Sequence, residues 1–100
     1  MKKSLIKGVI TPLITPIDQQ EKIDEKSLRN LVKYQLSNGV HGLWASGTSS
    51  EFPSLSEKER IKTIQLVVDE VNGEIPVIGN VTMPSTRLTL NLAKQSIGNG

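Results

Sequence analysis

The stretch from Gly42 to Arg60, GLWASGTSSEFPSLSEKER, changes character twice within nineteen residues. It opens on the end of an apolar run, Val40 to Ala45, continuous apart from His41, as suits a strand of a parallel sheet covered on both faces. A cluster of small polar residues follows, Gly47-Thr48-Ser49-Ser50. Then Ser56-Glu57-Lys58-Glu59 forms a capping-box pattern, in which the Ser56 hydroxyl and the Glu59 carboxylate each accept from the other's backbone N–H. Strand, small-residue loop and helix are therefore spelled out in order.

The same unit recurs on either side. Upstream, Gly8-Val9-Ile10-Thr11-Pro12-Leu13-Ile14-Thr15-Pro16 reads as a short buried strand ended by proline, which donates nothing to a ladder. Asp18 to Glu21 is a polar turn, and Asp24 is the expected N-cap of a helix with Glu25 in its first turn. Leu28, Leu31, Val32 and Leu36 draw its apolar stripe, and Asn38-Gly39 stops it. Downstream, Ile61, Ile64, Val68 and Val71 mark the stripe of the second helix, closed by Asn72-Gly73. Pro76-Val77-Ile78-Gly79 is a third strand, and Met83-Pro84-Ser85-Thr86 opens a third helix with Leu88, Leu92 and Ala93 facing inward. Gly98-Asn99-Gly100 reads as the link to a further strand.

The order β-α-β-α-β-α predicts an α/β fold with parallel strands and right-handed crossovers. Nothing marks a linker or a second domain, so residues 1–100 read as part of one domain. Three parallel strands leave two open edges, whereas a (β/α)8 barrel takes about 250 residues and a doubly wound sheet about five or six strands. With Met1 as a natural start, the missing units are expected after Gly100.

Composition narrows the function class. Of 100 residues, 36% are hydrophobic and 22% charged, with a net charge of +2, too small and scattered for a nucleic-acid surface. No apolar run is long enough to span a bilayer, and none follows Lys2-Lys3 as a signal peptide requires, so a cytoplasmic protein is expected. There is no cysteine, which removes disulfides and thiolate metal sites. Asn80-Val81-Thr82 matches the glycosylation pattern by chance on this reading.

In a parallel α/β architecture, ligands lie at the carboxyl ends of the strands, where Gly47 to Ser50 falls. Small residues there let backbone N–H groups approach a ligand and form an anion-binding concavity. The Thr48 and Ser49 hydroxyls add groups that donate and accept, which suits a carboxylate or the passage of a proton. The same residues also serve as an ordinary turn, which favours Gly and Ser for local reasons. Neither G-x-x-x-x-G-K-[ST] nor G-x-G-x-x-G is present.

Three segments together resemble one family. Gly8 to Pro16, then Gly39-Val40-His41-Gly42-Leu43-Trp44, then Gly47-Thr48-Ser49-Ser50-Glu51-Phe52-Pro53-Ser54-Leu55-Ser56 resemble the dihydrodipicolinate synthase/N-acetylneuraminate lyase family. The third looks like its G-[ST]-T-G-E signature, Leu55 to Arg60 continues the likeness, and Pro76 to Val81 fits its third strand. The resemblance runs from about residue 7 to the end and covers the first three βα units of a (β/α)8 TIM barrel. It implies a class I aldolase-type lyase that binds pyruvate or a 2-keto-3-deoxy sugar acid as a Schiff base on a lysine. No cofactor or metal is implied, and the family's members are often homo-oligomers, typically tetramers. By the motif match, Thr48 takes the place of the hydroxyl residue in the proton relay. Ser49 takes the place of the residue that holds the keto acid's carboxylate. Ser49 replaces the second threonine and keeps its hydroxyl. Ser50 replaces the motif's glycine, which predicts strain or a reshaped loop if that position needs a positive φ. Glu51 is read as organising the loop.

The family's Schiff-base lysine and relay tyrosine lie on later strands. Lys7 precedes the first strand, Lys22, Lys26, Lys33, Lys58, Lys62 and Lys94 read as solvated charges, and Tyr34 sits on the first helix away from the loop. The chain alone is therefore expected to be inactive. His41 reads as structural, Trp44 as core or helix-facing packing, and Arg87 as a solvated helix charge. The alternative function is a non-catalytic, truncated homologue acting as a binding or interaction module through its open strand edges.

Overall fold

In the computed structural model, residues 6–97 are described. Neighbouring residues at the end of the central strand separate cleanly by environment. Leu43 and Ala45 are fully buried against helices, while Trp44 between them is 43% exposed. This alternation fixes one helix-covered face and one helix-free face of the sheet. The strands are β1 (Ile10–Pro12), β2 (Gly42–Ala45) and β3 (Val77–Gly79), in the order β1-β2-β3. Both pairings are parallel, with Pro12 beside Trp44 and Trp44 beside Ile78. All three are shorter than the apolar runs that announced them. Pro12 and Pro16 remove ladder donors from the first run, and Pro76 removes one from the third.

The helices are α1 (Glu25–Ser37), α2 (Glu57–Val71) and α3 (Thr86–Ile97). Asp24 caps α1 by accepting from the Ser27 N–H at 3.0 Å. Gly39, just past its end, takes φ +73°, where a side chain would be strained. The capping box of α2 is present in both directions, Ser56 N to Glu59 Oε1 at 2.8 Å and Glu59 N to Ser56 Oγ at 3.1 Å. Asn72 ends α2 in the left-handed region. Ahead of α3, Ser85 Oγ accepts from the Leu88 N–H at 3.2 Å. The Gly98-Asn99-Gly100 link lies outside the described residues.

Leu28 and Val32 of α1 and Val67 and Val71 of α2 close over Leu13, Leu43 and Ala45 to form the core. Burying one such side chain is worth roughly 1.5–3 kcal/mol, so this face carries most of the stability. On α2 the apolar stripe drawn from sequence is only half of the buried face. Ile64 and Val71 are buried, Ile61 and Val68 only partly, and Arg60, Thr63, Leu66 and Val67 complete it. Two of the four missed positions are polar, and hydrophobic periodicity is blind to them. On α3, Leu92 is buried and Leu88 and Ala93 are partly so. Trp44 is a clear correction: it is neither core nor helix-facing, because β2 turns it to the face without helices.

Candidate functional site

The connection from β2 to α2 leaves the carboxyl end of the middle strand through two short 3-10 turns, Thr48–Ser50 and Phe52–Ser54. Ser46 begins it at φ +58° and is fully buried. Glu51, at φ +58° and ψ +43°, links the two turns. A left-handed conformation at a non-glycine residue is unfavourable and persists only where the surroundings over-determine it. Ser50 is not among the residues with positive φ. The strain anticipated at the motif's glycine position is therefore absent there and falls on its neighbours. Ser50 instead serves as an anchor. Buried, it donates its hydroxyl to the Leu13 carbonyl at the end of β1.

Gly47 is needed for close approach. A side chain there would place its Cβ 3.0 Å from the Trp44 Nε1. Within the first turn, the Ser50 N–H donates to the Gly47 carbonyl at 3.1 Å and the Glu51 N–H to the Thr48 carbonyl at 3.0 Å. Thr48 and Ser49 stand at the exposed front of this turn. Their N–H groups precede the first donor of the turn, the Ser50 N–H, and so have no acceptor within it, as at any helical start. Neither hydroxyl has a hydrogen-bond partner among the described residues. The two residues selected from sequence thus lie together, accessible, on a backbone held from behind.

What holds it from behind was not foreseen. Arg60, from the first turn of α2, is 3% exposed and points back beneath the loop. Its Nη1 donates to the Thr82 carbonyl at 2.7 Å and its Nη2 to the Asn80 carbonyl at 2.8 Å. The Met83 Sδ lies 3.2 Å from Nη1, and Nε reaches the Ser46 hydroxyl at 3.4 Å. The Phe52 ring stacks at 4.8 Å from the guanidinium carbon. Burial pushes the Arg60 guanidinium below its ordinary value, with Glu57 opposing the shift. In the sequence, Arg60 stood only as the last residue of the family-like segment Leu55 to Arg60, with no role of its own. Thr15, just after β1, is likewise buried, and its hydroxyl has no partner among the described residues.

The remaining candidates lie elsewhere. His41 Nδ1 accepts from the Val9 N–H at 2.8 Å, a structural use near the start of β2. Tyr34 is 64% exposed on α1, and Arg87 is exposed on α3. Lys62 pairs with Glu25 at 3.4 Å across the outer surface. Among the described residues, no three His, Cys, Asp or Glu side chains gather as a metal site needs, and no helix is long and apolar enough to cross a membrane.

Residues 5–100 match the model of the dihydrodipicolinate synthetase family. The chain belongs to that family. Among curated relatives, a 4-hydroxy-tetrahydrodipicolinate synthase of Methanopyrus kandleri is 46% identical over 89 residues, covering 88% of this chain and 30% of the relative. A DapA-like lyase of Halobacterium salinarum is 40% identical over 93 residues, covering 93% of this chain and 31% of the relative. Among solved structures, the dihydrodipicolinate synthase of Acinetobacter baumannii in complex with pyruvate superposes with a TM-score of 0.92 at 31% identity, covering 96% of this chain and 33% of that one. The chain thus spans about a third of the length of its dihydrodipicolinate synthetase relatives. Its three-stranded parallel sheet and helices match the N-terminal βα units of their TIM barrel.

Proposed function

We propose that this chain is the N-terminal portion of a single TIM-barrel domain, that of a Schiff-base-forming lyase acting on pyruvate or a 2-keto-3-deoxy sugar acid. The reading rests on Thr48 and Ser49, which present accessible hydroxyls and leading N–H groups side by side at the carboxyl end of the middle strand. Ser49 holds the keto acid's carboxylate, and Thr48 passes a proton between substrate and solvent-side groups. Fixing the carboxylate brings the adjacent carbonyl carbon into a near-attack geometry for an amine. The family match and the pyruvate complex of the Acinetobacter baumannii relative support this ligand class. The attacking lysine belongs to a later strand, so the 100 residues bind without turning over.

Pyruvate titrated into the chain is expected to move the Thr48 and Ser49 amide resonances and leave those of Tyr34 and its neighbours in place. Borohydride added to the same mixture should leave the intact mass unchanged. Unmoved amides would end the carboxylate assignment, and an adduct on any of the chain's lysines would overturn the division of labour. A second reading, a non-catalytic binding or interaction module, draws on the helix-free side of the sheet, where Trp44 is 43% and Ile14 58% exposed.

A further inference from the structure

We propose that Arg60 is a positioning residue for the carboxylate-holding loop, a buried cation that locks two successive βα connections into one body. The role rests on the keto-acid reading of that loop. A charge is costly to bury unless it is matched, and among the described residues no carboxylate lies within ion-pair distance of Arg60. Its charge is met instead by the Asn80 and Thr82 carbonyls of the connection after β3, at 2.8 and 2.7 Å. The Asn80 N–H itself donates to the Ala45 carbonyl at 3.1 Å, so the clamped segment begins where the β2–β3 ladder ends.

The other edge of the same guanidinium faces the Ser46 hydroxyl at 3.4 Å, and its plane lies over Phe52 at 4.8 Å. Ser46 and Phe52 flank Thr48 and Ser49 on both sides. An apolar side chain would fill the space without the burial cost. What only a planar fork supplies is simultaneous, directed contact with two connections. Such contact also accounts for a buried, left-handed Ser46 two residues before Thr48: the conformation is imposed by what packs on it. The carboxylate site is thereby set by a residue that does not touch the ligand.

The test compares the native chain with Arg60→Met, Arg60→Lys and a core control, Val71→Ala, by pyruvate titration, amide hydrogen exchange and thermal midpoint. Arg60→Met should weaken pyruvate binding about tenfold, the worth of one charge-assisted hydrogen bond. It should also speed exchange at Ser50, Phe52 and Asn80 together. Arg60→Lys, which keeps the charge and loses the fork, should recover only part of the affinity. Val71→Ala should lower the thermal midpoint and leave pyruvate affinity unchanged. Arg60→Met binding as tightly as the native chain, or losing affinity only in step with its thermal midpoint, would overturn the proposal. A native chain that fails to bind pyruvate would instead sink the keto-acid reading. The clamp would then stand or fall on whether Ser50, Phe52 and Asn80 lose protection together in Arg60→Met.

Discussion

The connection from β1 to α1 and the connection from β2 to α2 leave adjacent strands at the same end of the sheet, yet they are held in opposite ways. The first is closed mostly by its own residues. Asp18 Oδ1 accepts from the Gln20 and Lys22 N–H groups at 2.8 and 3.0 Å, the Asp18 N–H donates to the Lys22 carbonyl at 2.7 Å, and Ile17 bridges Ile23. The second folds into two tight turns whose anchors come from elsewhere: Leu13 receives the Ser50 hydroxyl, and Arg60 reaches under Ser46 while gripping Asn80 and Thr82. A self-closed loop needs little from the rest of the protein. A loop held from outside has its shape dictated by the fold, and that is the kind on which a binding geometry can depend.

Breaking the external anchor should therefore cost the most. Ser50→Ala removes the hydroxyl and leaves the Leu13 carbonyl without that donor in a buried site, an expected loss of about 1–3 kcal/mol. It should appear as a lower urea midpoint with an unchanged slope, together with weaker pyruvate shifts at Thr48 and Ser49. Asp18→Ala opens a turn that water can satisfy, and its expected cost is about 0.5–1 kcal/mol with no effect on pyruvate. Equal costs for the two, or a pyruvate effect from Asp18→Ala, would erase the distinction drawn between the connections.

The smallest effect sharpens it. The Asp24 carboxylate, at the end of the first connection, accepts from the Ser27 N–H and hydroxyl, and these bonds hold its pKa below the usual 3.8. A depressed carboxylate pKa contributes stability that is full above 3.8 and is lost as pH falls through the folded value. Asp24→Asn keeps a good cap and should flatten that acid limb in a pH series of thermal midpoints. An acid limb unchanged in Asp24→Asn would place its origin in other carboxylates.

How much of this was legible in the sequence follows the same division. The Ser56–Glu59 capping box and the Asp24 cap were readable because every partner lies within three residues. The order of strands and helices was readable because apolar runs and stop signals are local. Thr48 and Ser49 were selected through a motif, and the structure shows that both are exposed in the turn at the carboxyl end of β2. Arg60 was missed because its acceptors are the backbones of Asn80 and Thr82, twenty or more residues away, and a carbonyl leaves no trace in residue identity. The Ser50 role was missed for the same reason, since its acceptor on Leu13 is 37 positions distant. Trp44 was misplaced because an apolar run does not reveal which side of a sheet each residue faces. Only the packing of the helices over Leu43 and Ala45 settles that.

The position of Trp44 has a practical consequence. It is the chain's single tryptophan, it remains 43% exposed, and its indole occupies the space that a side chain at Gly47 would fill. The emission of the whole molecule at tryptophan wavelengths therefore originates one residue's width from the turn that carries Thr48 and Ser49. The chain contains its own optical reporter, whose colour and accessibility to iodide or acrylamide follow that turn without any label.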